Sequence, residues 1–314
     1  MIRVITDSVA SIPVQVARER DIRVVSLYLS YQGREYVDAE MDVDAFYANI
    51  ADMADNPPTS SQPSYAALES AFTEAAEAGD EVIGVFLGSE FSGTFDGAVR
   101  VARAVASCHL GFEYVVIDTT SAGYDEAWPV LAAADARDEG KDLAGCARAV
   151  LKSIERSRYL FAPETLTFLQ RGGRIGNAAA LLGTLVQIIP ILTIVDGKAT
   201  TFAKVRTYRK ALARMLDAFK EDMDALGVRN VSVHYIGPRE RAVEWAREKV
   251  EPLVGHEVPV IPVSPVLGTH VGPAVGIAYE CGKPVKGKLV ESTPAVVSSE
   301  KLQEPTLFEK IFRR

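Results

Sequence analysis

Glu81-Val-Ile-Gly-Val-Phe-Leu-Gly-Ser-Glu-Phe-Ser-Gly-Thr-Phe95 decides the fold. Val82 to Leu87 is a short, nearly continuous apolar run, the pattern of a strand buried on both faces. From Ala98 the period becomes helical, with Ala98, Val101, Ala102 and Val105 on one face. Between them lies Ser92-Gly93-Thr94, a hydroxyl-bearing turn where a strand hands over to a helix. In an open α/β sheet, ligands bind at such handovers, outside the carboxyl ends of the strands. A helix N-terminus there offers unpaired N–H groups and partial positive charge to a carboxylate or phosphate. The same hydroxyls also suit a plain helix cap, so the turn alone leaves both readings open.

Working outward, the upstream chain reads as strand Ile2–Thr6, then Asp7-Ser8, then a helix opened by Ser11 with Pro13 in its first turn. Arg23 to Tyr31 reads as one strand, turned at Gln32-Gly33 and answered by Arg34 to Asp38. A short helix starts at Asp42 or Asp44 and runs to Ile50. Asp55 to Ser64 carries Pro57, Pro58 and Pro63 among hydroxyl residues, which excludes regular structure there. Ser64 caps a helix with Leu68 and Phe72 on one face. Downstream come strand Tyr114–Asp118 and helices near 125–138 and 142–157. This alternation predicts an α/β first domain over residues 1–160, built on a mostly parallel, doubly wound sheet.

From Tyr159 the pattern changes. Strand Arg158–Phe161 leads to the turn Gln170 to Gly176, an apolar helix over 178–189 and a hairpin around Asp196-Gly197. A helix over 208–225, strand Asn230–Ile236, a helix opened by Pro238 and strand Val258–Val263 follow. The loop Ser264 to His270 then precedes strand Val275–Tyr279. A second α/β domain with antiparallel strand pairs is expected over 161–282. Residues 283–314 read as a loose tail ending in an amphipathic Leu307 to Phe312.

At 314 residues the chain holds about two domains. Its 48% apolar and 24% charged content is that of a globular protein, and a net charge of −8 without a basic run excludes nucleic acid. Cys108, Cys146 and Cys281 lack metal-type spacing and read as reduced thiols of a cytoplasmic protein, with neither metal nor cofactor expected. The chain enters a strand at once, so no signal peptide is expected. Ala178 to Val195 is uncharged and long enough for a membrane span, but Pro190 divides it into a helical half and a strand half. An integral membrane protein is therefore not expected; transient contact with a membrane remains compatible.

Four loops concentrate small polar groups: Thr59–Gln62, Ser92–Thr94, Arg171–Arg174 and Gly268–His270. Two fall in each domain, so a cleft between domains could gather them. Their hydroxyls, imidazole, guanidinium groups and glycines suit one bound carboxylate or phosphate, and are poor in acids and bases that would transform it. Each also has a plain reading as a turn, a cap or a satisfied loop histidine. A serine hydrolase or acyltransferase would use Ser92 or Ser89 with His270 and Asp7 or Asp118, but Gly-x-Ser-x-Gly is absent. Neither Gly-x-x-x-x-Gly-Lys-Ser/Thr nor Gly-x-Gly-x-x-Gly appears, against a nucleotide-dependent kinase.

Thr6-Asp7-Ser8, Ser60-Ser61-Gln62-Pro63, Ser92-Gly93-Thr94, Leu169-x-Arg-Gly-Gly-Arg-Ile175 and Gly268-Thr-His-x-Gly-Pro273 occur in this order over residues 2–281. That set resembles the DegV family, bacterial fatty-acid-binding proteins that serve as binding subunits of fatty acid kinase. The resemblance implies a non-catalytic carrier whose ligand is a long-chain fatty acid, held in an apolar tunnel between the two domains. It places the carboxylate at Ser60, Ser61, Ser92, Gly93, Thr94 and His270. It assigns Arg171 and Arg174 to work with the kinase partner, which phosphorylates the presented carboxylate to an acyl phosphate. Four positions depart from the family pattern: Ser60 stands for threonine, Ile189 for a frequent lysine, Ala274 for glycine, and Thr119 to Tyr124 has a single glycine. A buried methylene contributes about 0.8 kcal/mol, so about fifteen give on the order of 10 kcal/mol before ordering costs. The apolar stretch 178–189 is the expected tunnel wall.

Overall fold

Strands with continuous apolar sequence form the centres of two separate sheets. The structure, a computed structural model, describes residues 1–183, 188–285 and 295–298. β1 (Ile2–Asp7) and β2 (Ile22–Val25) are parallel. β3 (Tyr28–Tyr31), β4 (Arg34–Val37) and β5 (Thr59–Ser61) make a small antiparallel sheet. β6 (Glu81–Phe86) and β7 (Tyr114–Asp118) extend the parallel set. The second sheet takes β8 (Ser157–Pro163), β9 (Ile189–Val195), β10 (Lys198–Val205), β11 (Val228–Ile236), β12 (Val260–Pro262) and β13 (Ala274–Cys281). β14 (Ala295–Val297) returns to the first sheet.

The first sheet has the order β14-β7-β6-β1-β2, with only β14 antiparallel. Helices Tyr65–Glu77 and Thr94–Cys108 cover one face, and Tyr124–Asp138 and Leu143–Arg156 the other. It is the doubly wound arrangement expected. β6 is buried along all but its first residue, and Ala98, Val101, Ala102 and Val105 are the buried stripe of its following helix. Strand order reverses between β1 and β6, which opens a crevice at their carboxyl ends. The second sheet, β10-β9-β8-β13-β11-β12, is antiparallel except for β11 with β12. One face buries Met215 and Phe219 of helix Tyr208–Leu226; the other contributes Tyr159, Phe161 and Ile194 to the core shared with the first unit.

Several local expectations are corrected. Arg23 to Tyr31 is two strands in two sheets, because the chain bends where Leu27 N–H donates to Ser8 Oγ (3.0 Å) and Ala39 N–H to Ser26 Oγ (3.0 Å). Thr59–Ser61 is a strand: Pro58 and Pro63 flank three residues rather than interrupt them. Ser11 does not open the next helix; it sits in the left-handed region (φ 57°), and the helix is Val14–Glu19. Ser264 to His270 is no loop but the start of helix Pro265–Val271, with Ser264 Oγ accepting from Leu267 N–H (3.2 Å) and proline in its first turn. The helix expected over 178–189 is a 3-10 turn at Gly176–Leu181, and β9 already begins at Ile189; 184–187 lie outside the described residues. The tail is not loose at 295–297, where β14 pairs with β7; Leu307 to Phe312 lies outside the described residues.

A carboxyl pair is buried where β1 ends. Asp7 accepts N–H bonds from Val9 (2.9 Å) and Leu87 (3.0 Å), tying the ends of β1 and β6 together. Glu126, fully buried in helix Tyr124–Asp138, stands against it. Burial raises Asp7 to about 6 against its amide donors, while burial and the Asp7 charge hold Glu126 well above the carboxylate range. The amides favour the charge on Asp7, which leaves Glu126 the protonated member of the pair. A carboxyl raised in the fold stabilises fully below its unfolded value and loses that contribution as pH rises through its folded value. Glu126→Gln keeps the shape without the titration. It is expected to flatten the alkaline fall in melting temperature and to leave the variant the more stable protein at pH 8. Identical pH slopes in variant and wild type would place the proton elsewhere.

Candidate functional site

The crevice at the ends of β1 and β6 faces the inner side of the second sheet, and a cavity lies between them. It offers about 210 Å³ to the centre of a water-sized sphere. Most of its wall is apolar, with Leu27, Leu87, Phe161, Ile194 and Val266 among the lining residues. Ser60, Ser61, Gln62, Ser92, Gly93, Arg174 and His270 supply a polar patch. The expected wall at 178–189 contributes nothing among the described residues; β8, β9 and β13 line the cavity instead.

Each polar group is held by its own element. Pairing of β5 with β3 sets Ser60 opposite fully buried Leu29. His270 comes from helix Pro265–Val271, and its Nε2 lies 2.7 Å from Ser60 Oγ. Burial, then the neighbouring Arg174 charge, push the His270 imidazole down to about 4, so the ring is neutral at pH 7. Ser92 Oγ sits 2.9 Å from Thr94 Oγ1 and accepts from Thr94 N–H. Thr94 itself is fully buried and off the cavity wall, so it orients Ser92. Gly93 occupies the helix cap position and leaves room for Gln62, whose Oε1 would collide with any Cβ there.

The two arginines of the glycine turn diverge. Helix Thr167–Arg171 ends at Gly172, which lies so close to the His270 ring that a Cβ would overlap it. Arg174, beyond the turn, donates Nε–H to Phe91 O (3.2 Å) and lines the cavity. Arg171 points away, bonding Ala54 O and pairing with exposed Asp55 (3.6 Å).

The hydrolase constellation is not brought together. His270 is bonded to Ser60, and no hydrogen bond joins it to Ser92 or Ser89 among the described residues. Asp7 serves backbone amides, and Asp118 accepts from Ser89 N–H (3.2 Å) and Thr120 N–H (2.7 Å). No cluster of three or more His, Cys, Asp or Glu suited to a metal occurs among the described residues. No described helix is long and apolar enough to cross a membrane.

Sequence reading missed Tyr159, Phe161 and Gly276 in the wall. The alternation of Tyr159 and Phe161 along β8 carried the signal for one inward face. His234 also lines the cavity, its Nε2 2.7 Å from Ser232 Oγ and its ring against Tyr124 and Tyr159; burial pushes it down to about 3.

The architecture is mixed α/β, with an apolar cavity carrying a small polar patch between its two larger sheets. The model of the DegV family, described as an uncharacterised protein family, matches residues 1–281, and the chain belongs to that family. A DegV domain-containing protein of Clostridium acetobutylicum is 34% identical over 284 residues, covering 88% of this chain and 97% of its own. Solved structures of a DegV family protein from Thermus thermophilus and of DegV from Bacillus subtilis are each 28% identical with a TM-score of 0.78. Both cover 89% of this chain, and 99% and 98% of their own; both are described as fatty-acid-binding. A stearic-acid-binding protein from Eubacterium ventriosum shares the fold (22% identity, TM-score 0.80, 90% of this chain and 99% of its own).

The close approach of Gly172 to His270 is testable. Gly172→Ala is expected to displace the imidazole and to cost about 1–3 kcal/mol, read as a lower urea midpoint at unchanged slope. An unchanged midpoint would mean that the ring has room to retreat.

Proposed function

We propose that this protein binds a long-chain fatty acid and presents its carboxylate to a separate fatty acid kinase. The observation that carries the reading is an apolar cavity whose polar groups include three serine hydroxyls, the His270 imidazole and the Arg174 guanidinium. The acyl chain lies along the inner face of β8, β9 and β13. The carboxylate meets Ser60 and His270, already joined at 2.7 Å, together with Ser92 and Arg174. Ser61 and Gly93 complete that patch, and Thr94 holds Ser92 in place. His270 is neutral, so the anionic head relies on Arg174 and on hydroxyl donors for its charge. The fatty-acid-binding relatives at 28% identity support the choice of ligand.

In this reading the protein is a cytoplasmic carrier without metal or cofactor. Its two domains, divided near residue 160, close on the lipid as two jaws. Arg171 stands apart from the cavity and is 42% exposed. In this reading it serves contact with the partner kinase, outside the head-group site. Arg174 instead belongs to the head-group site, which divides a pair that the sequence alone treats together.

Native mass spectrometry of protein purified from bacterial cells is expected to show added mass of a fatty acid that leaves on denaturation. A covalent acyl adduct on serine would overturn the carrier reading. Ser92→Ala should remove a charge-assisted hydrogen bond worth about 1.5–3 kcal/mol, at least tenfold in affinity by lipid competition. Ser60→Ala should lose less, because Ser61 adjoins it. Unchanged affinity in both variants would place the carboxylate elsewhere.

The arginines give a separate pair of outcomes. Arg174→Ala should purify with reduced lipid. Arg171→Ala should purify with normal lipid yet lose acyl phosphate formation when mixed with a cognate kinase. Equal lipid loss in both would make the whole turn part of the head-group site.

A further inference from the structure

Helix Pro265–Val271, which carries His270, is only seven residues long. Isolated helices of that length do not hold themselves together, so tertiary contacts must fix its direction. Three side chains from the first fifty residues grip its start. Ser264 N–H donates to Ser11 Oγ (2.9 Å). Val266 N–H donates to Asp38 Oδ1 (2.8 Å). Tyr47 OH donates to Val263 O (2.7 Å) and lies 3.0 Å from Ser264 O. Asp38 and Tyr47 are 3% and 1% exposed. The Tyr47 ring also lies against Gly268 so closely that a Cβ there would overlap it.

None of these three side chains lines the lipid cavity; Ser11 and Asp38 line a separate groove behind the helix. Val266 and His270 are one turn apart and both reach the cavity wall. The rise between them is about 6 Å, so a tilt of about 10° moves the His270 end by about 1 Å, enough to break its bond to Ser60.

We infer that Ser11, Asp38 and Tyr47 are positioning residues that aim His270 at Ser60, and that this clasp contributes, beside the Arg174 charge, to the preference of the site for a free carboxylate over an uncharged head group. The inference rests on the head-group reading above. Losing the aim weakens recognition of the acid while the inner face of β8, β9 and β13, along which the acyl chain lies, stays as it was.

Two readouts test it. The first is the ratio of affinities for palmitate and methyl palmitate, measured by competition. The second is the ring 15N resonances of His270 in protein as purified. Tyr47→Phe and Asp38→Ala are expected to lower the acid-to-ester ratio about fivefold, the equivalent of one hydrogen bond, with ester affinity unchanged. Asp38→Asn keeps an oxygen for Val266 N–H and should restore the wild-type ratio. The His270 resonances should move in Tyr47→Phe and Asp38→Ala and stay in Asp38→Asn.

Unmoved resonances with an unchanged ratio would overturn the inference. So would parallel loss of acid and ester binding, which marks a merely structural role. If the wild-type protein itself fails to prefer the acid, the head-group reading falls, and the His270 resonances still judge the clasp. Should Tyr47→Phe fail to fold, Ser11→Ala and the Asp38 pair carry the same comparison.

Discussion

The hydrogen bond between Ser60 and His270 joins residues 210 positions apart, and much of the architecture serves to bring those two atoms within 2.7 Å. Ser60 arrives on a three-residue strand, β5, which exists only because β3 pairs with it. His270 arrives on a two-turn helix whose first amides are met by Asp38 and Ser264. Neither element would be stable on its own. The bond is made between two dependent pieces, one held by the small three-stranded sheet and the other by side chains from the first fifty residues.

The cores of the two larger sheets explain why the seam between the units can afford a cavity. The first sheet is covered on both faces by helices, and the second buries one face against helix Tyr208–Leu226. What remains is the inner face of the second sheet and the carboxyl ends of β1 and β6. Reversal of strand order leaves a crevice at that edge by topology alone. An apolar surface facing a crevice suits a ligand that is mostly hydrocarbon, and the few polar groups there can orient only one end of it.

Buried charge around the crevice works for the scaffold. Asp7 and Asp118, at the ends of β1 and β7, each take one backbone amide from the loop that follows and one from the segment after β6. Loops that pass from a strand into the interior leave N–H groups that water cannot reach, and a carboxylate satisfies two of them at once. This is why serine, histidine and aspartate can all be present without forming a relay. The acids are committed before any ligand arrives.

How far residues speak for themselves follows from the range of the forces involved. Period and turn chemistry made the first doubly wound sheet, its helices and the Asp196-Gly197 hairpin legible, since each rests on neighbours within a few positions. The ordered polar motifs marked the residues of the patch. They could not separate Arg171 from Arg174, whose directions depend on where Ala54 and Phe91 lie in space. Nor could they show that Ser264-Pro265 starts a helix, although the cap signature was present, or that β2 and β3 belong to different sheets. Ser60 meets His270, and Gly172 must yield to the imidazole, only after both units have packed. Local periodicity determined the elements and the candidate groups; tertiary packing alone decided which of them touch, because a contact across 210 residues leaves no trace in either neighbourhood.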